Sequence, residues 1–222
     1  MRQVLEVKQK RHNFFITDQE AGIIWNESKY YEKLHLMIGF ALFRGLRIGE
    51  IRALNITDFE DNFNKVTVII QKSNIKDTLP LIQEFAEVVR AFVKKNLHTF
   101  DRGYFFPHYR QFDSSPYPYL ASNTVNIMFY NFRKRLIKKY PQFADKSAYG
   151  NGYKRHRLGW HSLRRWFETR LWESGNNPEQ ISHIMRYRSP KVVYQYLDSY
   201  RTWKTEGELL KNTFSGFLKE VE

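Results

Sequence analysis

Cysteine is absent from the 222 residues. Its absence removes disulfide bonds, thiolate nucleophiles and Cys-ligated zinc together, and agrees equally with a reducing compartment or a hot one. Long apolar runs are missing as well. The longest stretch without a charge near the first helices, LHLMIGFALF, is ten residues, too short to span a bilayer, and MRQVLEVKQKRHNFF carries no apolar signal segment. No membrane partner is expected, and cytoplasmic residence follows as the default. No His-Glu-x-x-His spacing exists, and His156 has no acidic neighbours in its loop, so neither a metal nor another cofactor is expected. Internal repeats and low-complexity tracts are also absent.

Acids are in short supply: 23 against 36 Lys and Arg, a formal net charge of +13. A polyanion is the natural partner of such a chain. Most of the excess is local. Between Arg133 and Arg170 lie twelve Lys/Arg and two acids, a net of +10, interleaved with Tyr and Trp. Arg133, Lys134, Lys154, Arg155, Arg157 and Arg165 in this stretch are candidates for contact with the backbone of such a polyanion. Within it, WHSLRRWFETRL sets His161, Arg164 and Arg165 at helical spacing on neighbouring positions of one face. Like charges so placed repel, which asks for an anion or for open water.

The chain has ample apolar material for a core, 42% of its residues. TDQE at 17–20 is a capping box, and helical spacing continues through YYEKLHLMIGFALF to a C-cap at Gly45. A short helix carries IGEIRAL. KVTVIIQ at 65–71 is β-branched and strand-like, KSNIKD is a polar turn and TLPL a return strand, making a small hairpin. LIQEFAEVVRAFVKKNLH and SNTVNIMFYNFRKRLIKKY read as amphipathic helices, the second capped by Ser122 or Asn123. Loops fill 101–119 and 141–159. Helices near 161–174, 178–186 and 190–200 follow, then an amphipathic segment, EGELLKNTFSGFLKEV. The fold class is mainly α with a small antiparallel β-hairpin (α+β).

Four polar clusters stand out, each with an ordinary structural reading beside a chemical one. Arg47 has Glu50 three residues on, which can hold the arginine fork and leave other donors free. Lys72 sits where the hairpin turns, a common place for a solubilising lysine; a metal-dependent nuclease would want an acid two residues before it, and that position is Ile70. His161 and Arg164 form the third cluster. The fourth is RYRSPKVVYQYLDSY, with Tyr187, Tyr194, Tyr196 and Tyr200, of which at least two should be core.

Together these residues resemble the tyrosine recombinases, the phage integrase family. LFRGLRIGEIRALNITDF is similar to the family's first arginine box, and places its catalytic arginine at Arg47 with Glu50 in support. QKSNIKDTLPL resembles its hairpin, with the active-site lysine, Lys72, eight residues before Pro80. HSLRRWFETRL looks like the His-x-x-Arg box, His161 and Arg164. ISHIMRYRSPKVVYQYL aligns with the segment that ends in the nucleophilic tyrosine. The usual Leu-Gly-His there becomes Met185, Arg186, Tyr187, and the nucleophile nine residues later is Tyr196. Tyr187 departs from the family's His or Trp, yet a neutral phenol can also donate to a phosphate.

The resemblance implies a tyrosine recombinase catalytic-domain fold over residues 17–200. Residues 1–16 become a basic linker from an absent core-binding domain, and 201–222 a tail helix that docks on a neighbouring protomer or packs on its own domain. It implies metal-free cutting and rejoining of a double-stranded DNA attachment site through a 3′-phosphotyrosyl intermediate, with Lys72 as general acid. The expected assembly is a homotetramer on DNA and a monomer when free, in the cytoplasm or nucleoid of a cell hosting a virus or mobile element. A type IB topoisomerase and a catalytically degenerate DNA-binding protein are the alternatives.

Overall fold

Thr17 starts the first helix through a reciprocal cap. The Glu20 N–H donates to Thr17 Oγ1 at 3.2 Å, and the Thr17 N–H to Glu20 Oε2 at 2.7 Å. The computed structural model describes residues 15–70, 75–97, 100, 103–108, 118–144, 158–198 and 200. The anticipated linker up to residue 14, most of the basic loop and the tail segment lie outside them.

The helical spacing after Thr17 is carried by two helices, α1 (Asp18–Ser28) and α2 (Glu32–Phe43). The break follows from Ser28, whose hydroxyl donates to the Trp25 carbonyl at 2.8 Å and so competes with the helical ladder. α2 is buried from Leu36 through Leu42 and serves as the central element. Gly45 ends the run with φ +63°, where a Cβ would come within 2.5 Å of the Phe167 ring. Glycine is required there both by conformation and by the close approach of the helix that carries His161.

α3 (Ile48–Arg52) leads into a three-stranded antiparallel sheet, β1 (Phe59–Glu60), β2 (Lys65–Ile70) and β3 (Ile75–Pro80). The return strand starts at Ile75, opposite Ile70. Ile75, Lys76 and Asp77, expected in the turn, are paired strand residues. β1 was not anticipated, because two residues are too few to show a period of two. Thr67 and Thr78 tie the hairpin across 2.7 Å.

α4 (Gln83–Asn96) and α5 (Ser122–Lys139) follow. α5 is capped at Ala121 with no side-chain bond, so neither Ser122 nor Asn123 is the cap; both stand exposed inside the first turn. α6 (Trp160–Glu173), α7 (Pro178–Ile184) and a helix over 191–198 complete the described chain. The main core gathers Phe40, Phe85, Phe105 and Phe106, each essentially without exposure, around α2. A second, smaller cluster joins Phe15 to Ile181, Met185, Val193, Tyr196, Leu197 and Tyr200. No described helix is long and apolar enough to cross a membrane.

Candidate active site

Arg47 precedes the first turn of α3, and Glu50 closes that turn onto it. The Arg47 N–H donates to Glu50 Oε2 at 2.8 Å and its Nη1 to Oε1 at 2.9 Å. The Glu50 side chain is fully buried, and the Arg47 side chain keeps 30% of its surface open. A second cation meets the same carboxylate: Arg186 Nη2 donates to Oε2 at 2.8 Å. Burial raises the Glu50 carboxyl, and Arg186, the Arg47 N–H and the Arg47 charge more than offset that, holding it below the usual range. Glu50 is therefore a fixed anion that orients two arginines.

Arg164 enters from α6 and is 4% exposed. Its Nη1 donates to the Gly45 carbonyl, and its Nη2 to the Met185 carbonyl at 2.6 Å. The second bond meets the C-terminal end of α7, where the partial negative charge of the helix favours a cation. Burial, with Arg47 and Arg186 close by, lowers the Arg164 pKa; Tyr187 and Glu50 act against the fall. Arg44 is buried in the same region, and burial with Arg186 and Arg164 brings its pKa down to about 10. Cations exceed anions in this cluster, so an added anion would be stabilised there.

Tyr187 is set by the way α7 ends. The Tyr187 N–H bonds to the Ser182 carbonyl at 2.9 Å and the Arg186 N–H to the His183 carbonyl at 3.0 Å. This is the Schellman pattern, whose left-handed position falls on Arg186 at φ +56°. An arginine there costs about 1–2 kcal/mol relative to glycine, and the buried bond to Glu50 offsets it. The Tyr187 ring then lies between the two catalytic candidates, 5.9 Å from the Arg47 guanidinium and 5.3 Å from that of Arg164. Its hydroxyl donates to Glu168 Oε2 at 2.9 Å. Burial and the Glu168 charge push the phenol up to about 12, so it keeps its proton.

His161 lies on the exposed side of the first turn of α6. Partial burial of its ring and the charges of Arg165, Arg164 and Arg47 hold its imidazole below the ordinary value, neutral at pH 7. It faces a cleft of about 940 Å³ that Arg47, Arg164, Arg165 and the start of α6 also line. Across that cleft stand Asn123, Asn126 and Tyr130 of α5. A second cleft, about 610 Å³, lies beside Tyr187, Arg186, Asp77 and Val192, with Arg47 bordering both. The start of a helix suits an anion through its dipole, as do the two guanidiniums beside it.

The remaining sequence candidates are dispersed. Lys72, Lys154, Arg155 and Arg157 lie outside the described residues. Arg133 is buried, donating to the Leu158 carbonyl at 3.0 Å, although it borders the large cleft. Lys134 is exposed and leans over the Tyr130 ring at 5.4 Å. Tyr196 borders neither cleft: it is 6% exposed, its hydroxyl bonded to Thr169 and, at 2.7 Å, to the Arg165 carbonyl. Burial drives its pKa well above the ordinary tyrosine value. Tyr194 is exposed and donates to Glu179 at 3.2 Å, and Tyr200 is buried on Glu173. Two members of the site, Glu168 and Arg186, were not singled out from sequence for it. The available signal for Glu168 was its place one turn after Arg164 on the same helix.

A mostly helical scaffold with one small antiparallel sheet, which here brings two arginines and a histidine to one cleft, is the catalytic-domain fold of the tyrosine recombinases. The chain belongs to the phage integrase family, whose pattern matches residues 15–202. Among solved structures it is similar to the XerA recombinase, with 16% identity and a TM-score of 0.62, covering 89% of this chain and 66% of that one. It is similar to the Tn1549 transposon integrase in complex with transposon right end DNA, with 19% identity, TM-score 0.61, and 91% and 68% covered. A lambda integrase dimer bound to a COC′ core site gives 20%, 0.59, and 87% and 50%. The chain thus spans half to about two thirds of the length of these structures. No curated protein matches it.

Proposed function

We propose that the chain is the catalytic domain of a site-specific DNA recombinase that breaks and rejoins strands through a phosphotyrosine. The observation that carries this reading is the convergence of Arg47, His161 and Arg164 on one cleft, with Tyr187 against both arginines. A pentacovalent phosphorane carries more negative charge than the phosphodiester it comes from. Preorganised guanidinium forks and a neutral histidine donor stabilise that charge without needing a metal. Arg47 is held by Glu50 and Arg164 by two carbonyls, so neither must reorganise when the charge develops.

Tyr196 is the proposed nucleophile. Attack of its oxygen on phosphorus expels the 5′ oxygen and leaves a 3′-phosphotyrosine, which retains the bond for religation. Lys72 is the proposed acid for the departing 5′ oxygen, and His161 the acceptor of the Tyr196 proton. For attack, the Tyr196 hydroxyl must give up its bonds to Thr169 and the Arg165 carbonyl. The partner is a double-stranded attachment site, engaged by a homotetramer, and the basic stretch makes binding fall steeply as salt rises.

That buried hydroxyl favours the rival reading, a DNA-binding domain that does not cleave. One experiment separates the two: incubation with a nicked suicide duplex, read as a covalent adduct on a denaturing gel. An adduct mapped to Tyr196 supports strand cutting. Salt-sensitive binding with no adduct supports the rival. Replacing the 5′ oxygen by sulfur removes the need for an acid, so Lys72→Ala should slow cleavage of the ordinary duplex far more than of the sulfur one.

A further inference from the structure

Glu168 is the buried acid for which the strand-cutting scheme has no use. It is 1% exposed, on the inner face of α6 one turn beyond Arg164. Its Oε2 accepts the Tyr187 hydroxyl at 2.9 Å, while Oε1 has no hydrogen-bond partner among the described residues. A buried carboxylate normally fills several acceptor sites, and one left so incompletely bonded is costly as an anion. The groups facing it are Arg164 and Arg165 from its own helix, Tyr187 from the segment after α7, and Tyr196 from the helix over 191–198.

We propose that Glu168 is a positioning residue for Tyr187, and that its proton sets which way the Tyr187 hydroxyl points. When the carboxyl is ionised, the Tyr187 O–H is held on Oε2, turned away from any phosphate between Arg47 and Arg164. When it is protonated, the acid O–H donates to the phenol oxygen across the same gap. The phenol O–H is then released to find another acceptor, and an anion at the neighbouring guanidiniums is the nearest kind available. The proton is exchanged with solvent, and Tyr187 keeps its own in both states. Neutral Glu168 also leaves the Arg164 charge uncancelled, so both effects favour phosphate binding in the protonated state. Burial raises the carboxyl to about 7, against the Tyr187 bond and the charges of Arg164 and Arg165, which puts the switch within reach of ordinary pH.

The role given to the phosphate rests on the strand-cutting reading above; the coupling between Glu168 and Tyr187 does not. That coupling is tested first, by following the side-chain carboxyl carbon of Glu168 by NMR as pH is raised, with and without inorganic phosphate. In the wild-type chain the midpoint should lie near 7, and saturating phosphate should raise it, because a ligand that prefers one protonation state stabilises that state. In Tyr187→Phe the phosphate-induced rise should be much smaller. A midpoint in the ordinary glutamate range, or an equal rise in both proteins, overturns the proposal.

Adduct formation supplies the second arm. The ratio of the Glu168→Gln rate to the wild-type rate should stay near one at low pH and grow above neutrality, by up to about tenfold per pH unit. The amide cannot ionise, and its N–H can donate to the phenol oxygen. In the Tyr187→Phe background the same ratio should rise much less with pH. A ratio independent of pH with Tyr187 present overturns the switch. Absence of adduct from every variant, the wild type included, overturns strand cutting, while the carboxyl titration still decides whether Glu168 and Tyr187 are coupled.

Discussion

The hydroxyl of Tyr196 donates to the main-chain carbonyl of Arg165 across 2.7 Å, on the residue next to Arg164. The proposed nucleophile is thus stored against the very helix that carries the proposed phosphate ligands His161 and Arg164, packed on the ring of Phe15 at a centroid distance of 5.4 Å. Tyr196→Phe should eliminate the covalent adduct, and the lost hydrogen bonds should cost about 1 kcal/mol of stability. Tyr194→Phe should retain the adduct, since that side chain is exposed and touches only Glu179 among the bonds described for it. Peptide mapping of the trapped species checks both; phosphotyrosine on Tyr194 would overturn the assignment.

Arg47→Ala and Arg164→Ala should both abolish cleavage but differ in what they do to the fold. Arg47 keeps part of its side chain open, and its loss leaves Glu50 still paired with Arg186. Arg164 is buried and holds the carbonyls of Gly45 and Met185, so its removal should cost about 3 kcal/mol. Urea unfolding of the two variants should show the larger fall in midpoint for Arg164→Ala.

Replacing the left-handed Arg186 by glycine sets two effects against each other. Relief of backbone strain gains about 1–2 kcal/mol. Loss of a buried partner of Glu50, whose two side chains are 3% and 1% exposed, costs about 3–5 kcal/mol when one charge is left behind. Arg47 still bonds Glu50, which softens that cost. Net destabilisation by about 2 kcal/mol is the expected outcome, read by thermal unfolding. An increase in stability would show that Glu50 does not need Arg186.

Stability should depend on pH through Glu168. Its folded-state pKa is raised from 4.5 to about 7, so the contribution is fully present below 4.5. Between 4.5 and 7 the unfolded chain gives up this proton first, and stability is lost as pH rises through that window. The full loss is about 3 kcal/mol at 1.36 kcal/mol per unit. Glu168→Gln lacks the titration, so its stability relative to wild type should improve from pH 5 to pH 8 in denaturant melts. A difference constant over that range would place Glu168 in the ordinary carboxylate range.

Sequence alone determined the features that depend on near neighbours in the chain. The Thr17 and Glu20 cap, the Arg47 and Glu50 pair and the β2–β3 hairpin all involve short spacings, where backbone geometry leaves few alternatives. The order of the arginine, His-x-x-Arg and tyrosine boxes was also legible, because each box is contiguous. Tertiary structure alone decided where side chains end that meet across long separations. Arg186 reaches Glu50 over 136 residues, and Arg164 reaches Gly45 over 119. The fold of the segment after α7 sets Tyr187 against Glu168 across 19 residues. The burial of Arg133 on Leu158 and the storage of Tyr196 on Arg165 belong to the same class. Spacing places a residue on a face of its helix, but what that face meets depends on how the helices pack, and one-dimensional periodicity does not contain it.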